Sequence, residues 1–147
     1  MSAAPLVVIE NLTVRLPKGG DRAHAIENVS LTVAPGEIVC VVGESGSGKS
    51  VAASTLMGLL PRGLTIATGT VRVEGRSIPD LTPAELRALR GRDVSMIFQE
   101  PLSALNPLMR VGDQILELFE AHDAYPGAAG RARILDLFRY VGLPEPD

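Results

Sequence analysis

Aromatic side chains are scarce in this chain of 147 residues, at 3% with no tryptophan. No Phe, Tyr or Trp occurs between Met1 and Phe98. The core that a hydrophobic content of 46% permits must therefore be aliphatic. Cysteine is nearly missing as well, Cys40 being the single one. It can form neither an internal disulfide nor a cysteine metal cluster, and it reads as a small buried hydrophobe. Basic residues are scattered and the formal net charge is −3, which leaves no electrostatic footprint for nucleic acid. No apolar run approaches the length of a membrane span. The start, Met-Ser-Ala-Ala-Pro, has no basic n-region, and Glu10 interrupts the apolar stretch after it, which argues against a secretory signal. These absences point to a cytoplasmic protein of ordinary domain length that touches a membrane only through a partner.

What the chain does have is glycine in a particular place. Residues 43 to 50 read Gly43-Glu44-Ser45-Gly46-Ser47-Gly48-Lys49-Ser50, the pattern G-x-x-x-x-G-K-[ST] of a phosphate-binding loop. Gly43, Gly46 and Gly48 are expected to take positive φ and let the backbone wrap an anion closely. The loop's N–H groups then converge as a nest at a helix N-terminus, where the dipole favours negative charge. Lys49 can reach the outer phosphates of ATP, and Ser50 can ligate Mg²⁺. The flanking sequence suits this reading. Ile38-Val39-Cys40-Val41-Val42 looks like a strand buried on both faces. Val51 to Leu60 reads as a helix that stops at Pro61.

Ahead of the loop, Leu6–Leu16 is strand-like, and Pro17–Arg22 is a polar loop with a Gly-Gly turn. Val29, Leu31 and Val33 alternate with Ser30 and Thr32 at the period of a half-buried strand. A small antiparallel β-layer therefore precedes the phosphate loop, after a tight turn at Ala34–Glu37. Beyond Pro61, residues up to Gly69 read as a loop, and Val71–Val73 as a strand turning at Glu74-Gly75. Thr82-Pro83-Ala84-Glu85 is a capping box with proline at the first helical position. Asp93–Phe98 reads as a strand, and Gln99–Arg110 as irregular chain broken by Pro101 and Pro107. Val111, Ile115, Leu118, Phe119 and His122 form one helical stripe, and Ile134, Leu137, Phe138 and Val141 another. Gly142 suits the C′ position, and Pro144 and Pro146 prevent continuation.

Gln99 taken alone could be an ordinary strand exit. Following a phosphate loop, Met96-Ile97-Phe98-Gln99-Glu100-Pro101 resembles the Q-loop of ABC-type ATPases. The run SMIFQEPLSALNPLMRVGDQI, with GESGSGKSVAASTLMGLLP and DLTPAELRALRGRDVSMIFQ, is similar to the ATP-binding subunits of oligopeptide and dipeptide importers, a subfamily that also includes nickel importers. The resemblance runs from Leu6 to Pro146. It implies an α/β, ABC-type P-loop NTPase fold: an N-terminal part of the core over residues 1–110 and the start of a helical subdomain over 111–147. It also implies ATP and Mg²⁺ as cofactors, with residues 43–50 holding the nucleotide, Ser50 and Gln99 serving Mg²⁺, and Gln99 sensing the attacking water beside Lys49. An amide suits that task because it can donate and accept at once. The implied partners are a second ATPase domain and a transmembrane permease meeting Gln99–Arg110, at the cytoplasmic face of the plasma membrane. No nucleic-acid partner is implied.

The chain departs from the family in three ways. It carries no LSGGQ-like signature, no Walker B strand with its catalytic Glu, and no switch His. His24 and His122 are not placed to be that histidine and read as structural or surface residues. Second, in the family the Walker B strand lies near the strand at Ile38–Val42, which without it loses neighbours and leaves backbone groups in need of partners; an incomplete domain, unable by itself to hydrolyse ATP efficiently and poorly stable alone, is the expectation. Finally, the place where relatives stack an aromatic on adenine falls near Leu16, which has no π-face; His24 is a weaker substitute. Other readings are a soluble ABC ATPase acting on DNA, a small-molecule kinase, and a module that binds nucleotide or permease without turnover. The first would need a heptad coiled coil or zinc cysteines near Gln99, and neither is present. A kinase would lack the β-layer and the Gln99 segment.

Overall fold

The computed structural model describes residues 4–19, 21–100 and 104–143. Gly20 of the Gly-Gly turn, Pro101 and Leu102 of the irregular segment, and Pro144 and Pro146 after the last helix lie outside the described residues. The chain divides into two compact units, Met1–Met96 and Ile97–Asp147, each described by itself.

The first unit is built on a four-stranded sheet. Its strands are β1 (Val7–Arg15), β2 (His24–Val33), β3 (Thr65–Val73) and β4 (Arg76–Ser77), in the order β2-β1-β3-β4. Every pairing is antiparallel, as the alternation of apolar and polar residues implied. β1 buries Ile9, Leu12 and Val14, a spacing that strict alternation would not give. The register shifts between Ile9 and Leu12, and Asn11 sits at φ 48°. This bulge inserts one extra residue and returns Leu12 to the inward face. The freed Asn11 N–H donates to Ser30 Oγ at 2.9 Å, and the Asn28 N–H donates to Thr13 Oγ1 at 3.1 Å. Both irregularities are thus satisfied by side chains of the neighbouring strand.

The sheet's inner face closes over Val71, Val73, Ala25, Ile26, Ile78 and Leu89, all buried and none aromatic. Full burial of such side chains stabilises the fold by about 1.5–3 kcal/mol each. Helix α1 (Lys49–Leu56) lays Val51, Ala52 and Leu56 on this core. It ends at Gly58 rather than at Pro61. The Gly58 N–H donates to Thr55 O and the Leu59 N–H to Ser54 O, the paired bonds of a Schellman stop. Arg90 then donates from Nε to Met57 O and from Nη2 to Gly58 O, at 2.8 and 2.9 Å. The last carbonyls of α1 are tied in this way to the end of α2 (Pro83–Leu89). The expected capping box is present at α2, with Thr82 and Glu85 bonded reciprocally and Pro83 in the first turn. The turn at Ala34–Glu37 is closed by Glu37 N–H to Ala34 O.

Three further expectations fail in this unit or at its edge. Residues 38–42 form no strand and are not buried: Ile38 is 97% and Val42 84% exposed, and Cys40 is exposed too. Asp93–Phe98 contributes only a single bridge, Val94 to Arg90, and Ile97 is 94% exposed. The cause is the same in both places. A buried strand needs ladder partners on its sides, and no described strand pairs with either segment. The third failure is the loop assigned to residues 61–69. Strand β3 begins at Thr65 because β1 supplies it with a partner from Arg15 to Val7.

The second unit is a helix pair, α3 (Val111–Ala121) and α4 (Ala128–Tyr140). Ile134 is buried between them, as its stripe implied. Phe119 packs on Tyr125 with ring centroids 5.0 Å apart, and the Arg133 guanidinium lies 5.9 Å over the same tyrosine ring. Gly142 ends α4 as expected, with its N–H on Arg139 O and the Leu143 N–H on Phe138 O.

Candidate phosphate-binding site

Turn residues 45–46 and bends at 47–48 carry the glycine-rich loop into α1. Gly48 is the N-cap of that helix, at φ 98°, and no side chain caps it. The first turn also contains no acidic residue. The helix therefore begins with N–H groups that neither a cap nor a local carboxylate has taken, the condition in which an anion binds. Gly48 has a second reason to be glycine. A Cβ there would stand 2.6 Å from Ala25 O and 3.0 Å from Ile26 Cγ1, so β2 passes directly against the loop. Gly46 also has positive φ, at 78°, but Gly43 does not. A Cβ on Gly43 would meet Ser47 Oγ at 2.8 Å, so that hydroxyl would have to turn aside.

Lys49 folds back across the loop. Its Nζ donates to Gly43 O and Glu44 O at 2.7 Å each, and to Ser47 Oγ at 3.3 Å. These acceptors hold the ammonium over the hollow, with oxygens where phosphate oxygens would compete for it. Arg22, on the segment joining β1 to β2, donates from Nη1 to Gly46 O at 2.9 Å. The hollow is about 150 Å³ and is lined by Arg22 and by residues 46–51. Ser50 is part of that lining. Gly43, Glu44 and Ser45 belong to the loop but are not in it.

Gln99 belongs to the second unit, in a bend that follows the exposed Ile97 and Phe98, and it is itself exposed. What anchors the chain after it was not read from the sequence. Gln114 on α3 accepts from the Asn106 N–H through Oε1 at 2.9 Å. Its Nε2 donates to Asn106 O and Met109 O at 3.0 and 3.1 Å. One amide thus fixes the irregular stretch around Pro107 and leaves Leu108 almost wholly exposed. The only sequence signal was a polar residue on the first turn of an otherwise apolar stripe. A larger apolar groove, about 420 Å³, runs between α3 and α4 and is lined by Leu116, Ile134 and Phe138. Arg110, Asp113 and Arg131 also line it, but it has no glycine-rich loop or lysine like those at residues 43–50, and volume alone does not make it the functional site.

The residues present fit a polyphosphate: free helix-terminal N–H groups, a cation on carbonyl ligands, and a glycine, Gly48, whose Cβ position is filled by β2. They offer a metal little more than the Ser50 hydroxyl, and no cluster of metal-ligating side chains occurs among the described residues. No helix among them is long and apolar enough to cross a membrane.

A β-layer ahead of a phosphate loop, with a glutamine segment and a helix pair after it, defines an ATP-binding cassette. The sequence model of the ABC transporter family matches residues 26–146, and the chain belongs to that family. It is 43% identical over 144 residues to the peptidoglycan transport ATP-binding protein YejF of Agrobacterium fabrum, covering 97% of this chain and 26% of that protein. It is 40% identical to the oligopeptide transport ATP-binding protein OppD of Mycobacterium tuberculosis, over 97% of this chain and 23% of that one. The dipeptide transport ATP-binding protein DppD of Bacillus subtilis is 38% identical, over 94% and 42%. The chain thus spans less than half the length of these relatives. Among solved structures, the ATP-binding cassette MJ0796, a dimer in a post-hydrolysis state bound to ADP and Pi, is similar at TM-score 0.72 and 28% identity, over 95% of this chain and 58% of that one. As a family member with this loop, the chain is a nucleotide-binding protein.

Proposed function

We propose that the chain is the nucleotide-holding portion of an ATPase that powers import of peptides or similar small solutes. The observation that carries this is the uncapped start of α1 with Lys49 drawn across the loop. ATP would place its outer phosphates on the N–H groups of residues 46–50. Lys49 would exchange the Gly43 and Glu44 carbonyls for phosphate oxygens, a trade of neutral acceptors for charged ones. Mg²⁺ would bind through Ser50, with Gln99 offering its amide oxygen, and would neutralise phosphate charge when bound. Gln99 would also orient the attacking water.

The remaining assignments rest on the family. Residues 111–147 open the helical subdomain, after a core portion at 1–110. The exposed Leu108, and the irregular segment from Gln99 to Arg110, meet a transmembrane permease at the cytoplasmic face of the membrane. A second ATPase domain closes the site, an arrangement supported by the dimeric cassette named above. Lys49→Ala tests the reading at its base. Loss of a charged hydrogen bond to phosphate is expected to weaken ATP binding by about 1.5–3 kcal/mol, measured by calorimetry. Unchanged affinity would remove Lys49 from the site.

A further inference from the structure

We propose that Arg22 reads the nucleoside, stacking its guanidinium plane on the base of the nucleotide held at residues 43–50. The inference rests on the nucleotide reading above and deepens it. Arg22 is the residue common to two adjoining hollows. One is the phosphate hollow of residues 46–51. The other, about 520 Å³, is lined by Leu16, Pro17, Lys18 and Asp21. A nucleotide with its phosphates in the first has room for its nucleoside in the second, and Arg22 stands at the junction.

The charge state of Arg22 favours the role. No ion pair to a carboxylate holds it among the described residues; its hydrogen bond goes to the Gly46 carbonyl. A guanidinium without a counter-charge, beside an anion site, is free to turn toward a ligand. The chemistry of the second hollow favours it too. No Phe, Tyr or Trp precedes Phe98, and the imidazole of His24 does not line the second hollow. Leu16 supplies an apolar floor: it packs on the core, and its N–H is fixed to Ala23 O at 2.9 Å. Arg22 supplies the flat, weakly hydrated, cationic surface that stacks on a base where a ring is missing.

The experiment compares ATP with inorganic tripolyphosphate, each with Mg²⁺, as ligands of the whole chain. Arg22→Ala is expected to weaken ATP binding about three- to thirtyfold more than it weakens tripolyphosphate binding. Arg22→Tyr should restore ATP binding, and Arg22→Lys should not, because a point charge has no plane. Equal loss for both ligands, rescue by lysine, or no loss at all would overturn the proposal. Lys49→Ala in the same assay should weaken both ligands. If it weakens neither, the phosphate reading itself fails, an outcome distinct from any result at Arg22. Arg22 is exposed, so unfolding of its variants is not expected, and a far-UV spectrum checks this.

Discussion

Strand β1 and the segment at residues 38–42 are made of the same material. Val7-Val8-Ile9 and Leu12-Thr13-Val14 on one side, and Ile38-Val39-Cys40-Val41-Val42 on the other, are β-branched and aliphatic. Yet Leu12 and Val14 are fully buried, while Ile38 and Val42 stand in solvent. The difference lies in the partners. β1 has β2 on one edge and β3 on the other, both within reach along the chain. Residues 38–42 have no described strand beside them. Hydrophobicity makes a segment worth burying, but ladder partners decide whether it can be, because every backbone N–H and C=O taken from water must be paired. Residues 95–98 repeat the lesson: the chain is held to Val94 and then leaves the core.

The largest test of the contrast is Leu12→Ala. It removes a fully buried side chain held between two strands and is expected to cost about 2–5 kcal/mol, read as a lowered denaturation midpoint. A loss below about 0.5 kcal/mol would mean the β-layer is not the stable part of the chain. Next comes Gly48→Ala. Its Cβ must push against Ala25 O of β2 from a left-handed backbone conformation, a strain of about 1–3 kcal/mol. Because the loop rests on the ordered layer at this point, tripolyphosphate binding should fall more than melting temperature does. Melting that drops while binding survives would show the loop to be independent of β2.

How far the sequence spoke follows the same division. The β1–β2 pair was legible because its strands follow one another closely, whereas the first part of β3 was read as loop because its partner β1 lies far back along the chain. The Thr82 box, the Gly142 stop and the two late helices were legible because capping and amphipathicity are local, although Leu118 of the first stripe and Val141 of the second are exposed. The loop at 43–50 was legible because its residue types are dictated by backbone and phosphate geometry. Burial at 38–42 and strand structure at 93–98 were misread because both depend on distant strands. The end of α1 at Gly58 was misread because proline is the louder breaker, although glycine three residues earlier satisfies the last carbonyls better. The roles of Arg90, Arg22 and Gln114 were not legible. Each reaches across the fold to a backbone carbonyl, and no spacing rule points to such contacts.

The boundary between the two kinds of segment can be titrated. Asp93 stands where the chain leaves the core. It accepts from Arg92 Nε at 2.9 Å and from Arg76 Nη2 at 2.7 Å, and these bonds hold its carboxyl down to about 2. A carboxyl depressed below its unfolded value of 3.8 contributes stability that is present above that value and lost as pH falls toward 2. The melting temperature of the chain should therefore decline through that window, and less steeply for Asp93→Asn. Identical slopes would show that the Arg76–Asp93–Arg92 cluster does not hold the end of the layer.

The smallest expected effect bears most directly on the comparison. Ile38→Ser exchanges a large apolar side chain for a small polar one, a change that in β1 would be severe. At 97% exposure Ile38 has almost no buried contact to lose, so stability should stay within about 0.5 kcal/mol. Binding of a dye that reports exposed apolar surface should fall. In β1, with strands on both sides, the corresponding change Ile9→Ser is expected to cost on the order of 3 kcal/mol. The ratio of the two costs measures what the neighbouring strands contribute. A large cost in the present chain would mean that residues 38–42 are already paired in solution, and the contrast with β1 would collapse.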